Sequence, residues 1–157
     1  MIRIDATVTS GPVLELLTRL QRGLDDLEPV LVGIGQELQG RVQDRFESQT
    51  DPDGHPWAPW AESTKENYPK NGHGRLLDRF GDMLRSLSWQ TDAESVLVGF
   101  GAVASKAGDV YAVYHEWGTK TMPRRGLLTS APDAGTLGAE DEAAVLDIIG
   151  SWLEDMA

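Results

Sequence analysis

The hydrophobic positions of this 157-residue chain follow a helical period in some segments and a strand period in others. Apolar residues occupy every second position in 86–91, and Val96, Val98 and Phe100 do so in 95–100, which is typical of strands. The turn-forming residues 91–94 between them predict an antiparallel hairpin. Over residues 27–48 the apolar side chains instead recur every three or four positions. This spacing predicts an amphipathic helix with one apolar face, made of Leu27, Leu31, Ile34, Leu38, Val42 and Phe46.

A second long helix is predicted over residues 140–156, because three acidic residues open a stretch with helical apolar spacing. Helices 27–48 and 140–156 are expected to pack on an antiparallel sheet that includes the hairpin, so the predicted fold class is α+β. Shorter patterns predict a strand at 2–8, a helix that Gly23 closes, a helix at 77–85, a helix from Asp109 to Gly118, and an edge strand within 121–129.

The first long helix also predicts which of its residues are buried and where it is crossed. Leu38 and Val42 are predicted to be buried, and Gly35 is interpreted as a point where another segment crosses closely. The cost of Gly33 and Gly40 within a helix has no explanation in the sequence.

Composition narrows the class of protein. The length suits one domain over residues 1–157, and the formal net charge of −11 argues against generic binding of nucleic acid. No apolar run has the roughly 18 residues that span a bilayer, and the N-terminus lacks a signal pattern. The absence of cysteine excludes disulfides and thiolate metal sites. The sequence thus predicts no cofactor and mildly favours a reducing cytoplasm.

Residues 49–75 are predicted to be a long connection that is partly mobile in the free protein, with one helical turn near 62–67. Asp51-Pro52-Asp53-Gly54 predicts a turn, and the prolines beside Trp57 and Trp60 stiffen the segment that carries them. We interpret these two tryptophans as candidate anchors for a protein partner, since loop aromatics are frequent interface hot spots. The other tryptophans fit core positions: Trp89, Trp117 and Trp152.

Candidate catalytic or metal sites are few. Asp51-x-Asp53-Gly54 begins like a calcium loop but lacks the later ligands, and His115-Glu116 begins like a zincin helix but lacks the second histidine. No Gly-x-Ser-x-Gly elbow or Gly-rich phosphate loop occurs. His115 is also consistent with a packed residue at a helix end, and the pair Arg124-Arg125 is consistent with a solvated surface. The candidate protein-interface residues are Trp57, Trp60, His115, Glu116, Arg124 and Arg125, and no catalytic residue is assigned.

Three groups of residues follow one another in a characteristic order. They are Phe46, Gln49, Asp51, Gly54, Pro56-Trp57 and Ser63-Thr64; then Leu76-Leu77, Gly81, Leu84 and Ser86; then Val96, Val98-Gly99, Tyr111-Ala112, His115-Glu116, Gly118, Pro123 and Arg125. In this order and spacing, residues 27–130 resemble the Mu-like virion-morphogenesis, or tail-completion, proteins of tailed bacteriophages and prophages. The chain departs from that pattern after Arg125, where Gly126-Leu127-Leu128 replaces an expected proline and aromatic residue.

The resemblance implies a non-enzymatic structural protein that completes or joins the phage tail. It would act in the host bacterial cytoplasm during assembly and remain in, or help build, the virion. The partners it implies are other phage tail or head-tail connector proteins, with a homo-oligomeric ring as a further assembly and no nucleic acid or membrane. Two alternatives stay open: a generic cytoplasmic protein-binding module, and a metal-dependent hydrolase that uses Asp51, Asp53 and His115.

Overall fold

The computed structural model of the chain describes residues 26–101, 108 and 110–155. Its elements are α1 (Glu28–Ser48), α2 (Glu62–Glu66), α3 (Asp82–Arg85), β1 (Leu87–Thr91), β2 (Val96–Phe100), α4 (Ala112–Trp117) and α5 (Ala139–Asp155). Two long helices and an antiparallel hairpin confirm the α+β prediction. The strand at 2–8, the helix closed by Gly23 and the Asp109 cap lie outside the described residues. No helix within these ranges is both long and apolar enough to cross a membrane.

Helix α1 forms where the sequence predicts it, and local signals fix both of its ends. The Asp26 carboxylate accepts a hydrogen bond from the Glu28 N–H at 3.0 Å, and a proline lies in the first turn, where its missing N–H costs nothing. The helix stops at Gln49, whose φ of 59° is left-handed. Its buried apolar residues are Val30, Ile34, Val42 and Phe46.

The hairpin of β1 and β2 is in register from Leu87 opposite Phe100 to Thr91 opposite Val96. The Asp92 carboxylate closes its turn by accepting the backbone N–H of Glu94 and of Ser95, at 2.8 and 2.7 Å. Helix α1 packs across both strands. The hairpin therefore supplies the surface that the apolar face of α1 covers.

The apolar core has two parts, one at each end of α1. The first surrounds Phe46, whose ring meets Trp57 edge-on at 5.5 Å and Phe100 at 6.1 Å. The second joins Val30 and Ile34 to Ile149 of α5, with Leu38, Val96 and Trp152 partly buried around them. Val42 is therefore buried as predicted, whereas Leu38 is only partly buried.

A buried ion network fastens α5 to α1. Asp141, in the first turn of α5, is 1% exposed and accepts hydrogen bonds from Arg41 Nε at 2.6 Å and from Arg45 Nη2. The hydrogen bond to Asp141 raises the pKa of Arg41 above its ordinary value. Arg45 Nη1 also donates to the Leu127 carbonyl at 2.9 Å. The network thus joins two helices and the loop that follows α4.

Three local predictions are wrong, each for a physical reason. The helix predicted over 77–85 begins only at Asp82, because Leu77 and Gly81 have φ of 57° and 78°, outside the right-handed helical region. Residues 121–129 form a loop in place of an edge strand, because the N–H groups of 127–129 donate to the Glu116 side chain and not to a neighbouring strand. Trp117 is 40% exposed because α4 buries its opposite face, on which Ala112 and Glu116 lie.

Candidate functional site

The turn that begins at Asp51 is held by hydrogen bonds among its own residues. The Asp51 Oδ1 accepts the N–H groups of Asp53 and His55, both at 2.9 Å, while its own N–H donates to the His55 carbonyl at 2.8 Å. Gly54 supplies the left-handed φ of 83° that the turn requires. These bonds explain the residues as a structural turn.

Asp51, Asp53 and His55 also bring three potential ligand atoms within 4.8 Å of one another. Asp53 and His55 are exposed, and one Asp51 oxygen already serves the turn. His115, the third residue of the hydrolase alternative, is not part of this group. The cluster therefore differs from the arrangement that the alternative requires.

Trp57 is a core residue, which corrects its assignment as a surface anchor. Its side chain is 5% exposed, its ring meets Phe46 edge-on, and its Nε1 donates to the Gly126 carbonyl at 3.0 Å. Burying an indole in this way satisfies both its apolar ring and its polar N–H. Trp57 therefore joins the long connection to the loop after α4.

Trp60 lies on the same stiff segment and is only partly buried. Its ring stacks on Tyr68 with centroids 4.7 Å apart and an interplanar angle of 29°. The Arg79 guanidinium lies 5.9 Å from the Tyr68 ring, within the range of a cation–π contact. Two residues of the connection 49–75, Trp60 and Tyr68, thus form an aromatic platform.

This platform forms one wall of a groove of about 810 Å³, which we name the aromatic groove. The volume lies within the range of about 300–1,000 Å³ that is usual for ligand pockets. The groove is lined by both charged and apolar side chains, and its apolar and aromatic ones include Trp60, Tyr68, Leu77, Phe80, Tyr111 and Met122. Leu77 is strained there by its left-handed φ of 57°.

Behind the groove, the Glu116 carboxylate is 1% exposed and organises the loop after α4. Its Oε2 accepts the N–H groups of Leu127 and Leu128 at 2.6 and 3.0 Å, and its Oε1 accepts the N–H of Thr129 at 2.9 Å and the Thr129 hydroxyl. Consecutive backbone N–H groups make a concavity for an anion. The side chain of Glu116 thus accepts the hydrogen bonds that a neighbouring strand would accept if these residues formed an edge strand.

The arginine pair serves the fold, which corrects the view of it as a solvated surface. Arg124 donates to the carbonyls of Glu116 and Thr129 at 2.7 and 2.6 Å. Arg125 is 7% exposed and donates to the carbonyls of Ala58 and Pro59 at 2.7 and 2.8 Å. Burial lowers the pKa of Arg125 below its ordinary value.

His115 lies on the wall of the aromatic groove, where Arg125 also lies. Burial, and then the positive charge of Arg125, lower the pKa of His115 to about 4. Its Nδ1 is buried and has no hydrogen-bond partner among the described residues. The imidazole is therefore neutral at physiological pH.

The structure divides the six candidate interface residues into two groups. Trp60, His115 and Arg125 line the aromatic groove, whereas Trp57, Glu116 and Arg124 are used in internal contacts. Sequence reasoning missed several residues that complete the groove, because they come from segments far apart in the chain: Tyr68, Phe80, Met83, Tyr111 and Met122. Among these, only Tyr68 carried a signal in the sequence, as an aromatic residue within a long connection of little periodicity.

Comparison with known proteins gives one assignment. The model of a family described as the phage virion morphogenesis family matches residues 8–154, which is most of the chain. Searches with the chain found no match among the curated proteins or among the solved structures.

Proposed function

The chain belongs to the phage virion morphogenesis family, and from this premise we propose that it is a non-enzymatic subunit that completes or joins the tail of a tailed phage or prophage. The family match over residues 8–154 carries the proposal. The aromatic groove supports it, because an open apolar surface with a few charged groups suits a subunit that docks on protein partners.

The non-enzymatic part is supported by how the chain uses its polar side chains. The Glu116 carboxylate is occupied by four donors of the following loop, and Asp141 is occupied by two arginines. These groups, which could otherwise serve as acids or bases, stabilise the fold. We propose that the function lies in surfaces instead.

The test is complementation of a phage that lacks the gene. Lysates of the deletion phage should contain heads and incomplete or unjoined tails by electron microscopy, with a large loss of infectious titre. Expression of the wild-type chain should restore the titre. Normal particles in the deletion lysate would refute the assembly role and favour a generic protein-binding module.

Stoichiometry separates a structural subunit from an enzyme. Purified protein added to a deletion lysate should restore titre in proportion to the amount added and then saturate at a fixed ratio to tails. A catalyst would restore full titre at trace amounts, given time. Mass spectrometry of purified particles then tests whether the subunit remains in the virion.

We also propose that the subunit forms a homo-oligomeric ring. At a net charge of −11 per chain, self-association should strengthen as salt screens the repulsion between copies. Native mass at low and high salt checks this. A monomer under both conditions, alone and with tail protein, would exclude the ring.

A further inference from the structure

The aromatic groove combines an apolar platform with an uneven set of charges. Its two carboxylates already have cationic or hydrogen-bonding partners, since Asp82 pairs with Arg85 and Asp78 contacts His73 Nδ1 at 2.8 Å. Among the groove arginines, Arg75 pairs with Glu47 at 3.1 Å. The groove therefore has no free carboxylate to offer a cation.

Two other arginines of the groove contact neutral groups. Arg125 donates only to carbonyl oxygens, and Arg79 lies over the Tyr68 ring. Neither is within ion-pair distance of a carboxylate in the part of the chain that the structure describes. Among the described residues, two guanidinium groups of the groove, the buried Arg125 and the exposed Arg79, thus lack an ion-pair partner, in a chain whose net charge is −11.

We infer that the aromatic groove binds a short acidic segment of a partner protein, with a carboxylate at Arg125 and Arg79 and an adjacent apolar side chain on the Trp60–Tyr68 stack. This inference rests on the proposed function and specifies the chemistry of the partner. Arginine suits the role because its guanidinium carries five N–H donors. Arg125 uses Nε and Nη2 on the carbonyls of Ala58 and Pro59, which leaves its Nη1 side for a carboxylate.

The burial of Arg125 makes such a pair effective. At 7% exposure, its charge is poorly screened by water, so an incoming carboxylate interacts with it more strongly than with a surface arginine. At physiological salt, charges beyond about 8 Å are largely screened. The local arginines therefore outweigh the more distant carboxylates of the chain. His115 contributes a neutral imidazole to the wall beside this position.

The probe is a random-peptide library displayed on yeast and selected against the full chain. Enriched sequences should contain Asp or Glu next to an aromatic or large aliphatic residue. Binding of the best synthetic peptide should weaken about tenfold or more in Arg125→Gln, as expected for loss of a charge-assisted contact. Arg79→Gln and Trp60→Ala should each weaken binding severalfold.

The matched control is Lys120→Gln, which removes the same charge at an exposed position of the loop after α4, outside the groove. It should leave binding unchanged. Arg125→Gln also loses two hydrogen bonds to Ala58 and Pro59, so its thermal melt is recorded. If it unfolds, the exposed Arg79→Gln decides, because that change leaves the core contacts intact.

Several results would overturn the inference. They are no enrichment of peptides, enrichment without acidic residues, or equal effects of Arg79→Gln and Lys120→Gln. A photo-crosslinker at position 60 that joins residues 1–25 of the same chain, or a second copy, would assign the groove to that occupant. If the groove variants also complement the deletion phage fully, the docking inference fails while the assembly role stands.

Discussion

The indole of Trp89 lies directly against the backbone of Gly35, so that a Cβ added at Gly35 would be 2.8 Å from two carbons of the ring. This is the close crossing that the sequence indicates, and it places α1 on β1. Gly40, on the same helix, has no atom within 4 Å of such a Cβ. The two glycines therefore form a natural pair for testing the packing of α1.

Gly35→Ala is expected to lower the free energy of unfolding by roughly 1–3 kcal/mol, because the added methyl overpacks the contact with Trp89. Gly40→Ala should raise it by up to about 1 kcal/mol, since alanine favours a helix and meets no neighbour. Urea melts of both variants give the two values. Stabilisation of both variants would show that Trp89 moves aside freely.

Glu116→Gln is expected to lower the free energy of unfolding by roughly 2–5 kcal/mol. The variant replaces one acceptor oxygen by an amide donor, which faces backbone N–H groups and leaves buried donors without partners. Denaturant melts measure the loss. Glu66→Gln makes the same change at an exposed position and should alter stability by less than about 0.5 kcal/mol.

His115 should make stability depend on pH between about 6.5 and about 4. Its pKa falls from 6.5 to about 4 on folding, so below the unfolded pKa the unfolded chain binds a proton that the folded chain does not. The stabilisation is present above about pH 6.5 and is lost as the pH falls toward about 4. The loss is on the order of 3 kcal/mol for this shift.

Urea melts across that pH window, compared between the wild type and His115→Asn, isolate this contribution from the protonation of carboxylates. The variant should show a shallower loss of stability. His55→Asn is the control, because the His55 side chain is 77% exposed and folding does not bury it. Identical slopes for the wild type and His115→Asn would show that His115 is solvated in the folded protein.

Trp57→Ala and Trp60→Ala should separate folding from assembly. Removing the buried Trp57 should cost roughly 3–5 kcal/mol, as large core truncations do. Removing Trp60 loses mainly its stacking on Tyr68, about 0.5–1.5 kcal/mol. Circular dichroism melts and complementation of the deletion phage are the measurements. The inference that the aromatic groove docks a partner predicts that Trp60→Ala folds but complements poorly, and full complementation would contradict that inference.

The long helices could be predicted because each repeats one apolar period over many residues, and the hairpin because two short apolar segments flank a turn-forming one. The loop 126–129 could not. Its apolar run is typical of a strand, yet its N–H groups bond to the side chain of Glu116, ten or more positions earlier. Nothing in the local pattern identifies a partner of that kind.

The two tryptophans of the stiff segment show the same limit for the site. Trp57 and Trp60 have similar neighbours in sequence, and their opposite fates depend on groups supplied by distant segments, the Phe46 ring and the Gly126 carbonyl for Trp57 and the Tyr68 ring for Trp60. The interface role of the groove residues stays a prediction, as does the mobility of 49–75. The resemblance to the family was carried by ordered spacing, and the family match confirms it.

The hydrogen bonds around the Glu116 carboxylate decide where the loop after α4 can be lengthened without breaking the fold. One inserted residue within 126–129 would shift the N–H groups past the carboxylate, whereas the exposed turn at Lys120 and Thr121 is closed by its own hydrogen bond from Thr119 to the Met122 carbonyl. A short epitope inserted at Lys120, which is exposed and outside the lining of the aromatic groove, would leave the hydrogen bonds to Glu116 in place. It would offer a means of locating the subunit by immuno-electron microscopy in assembling particles.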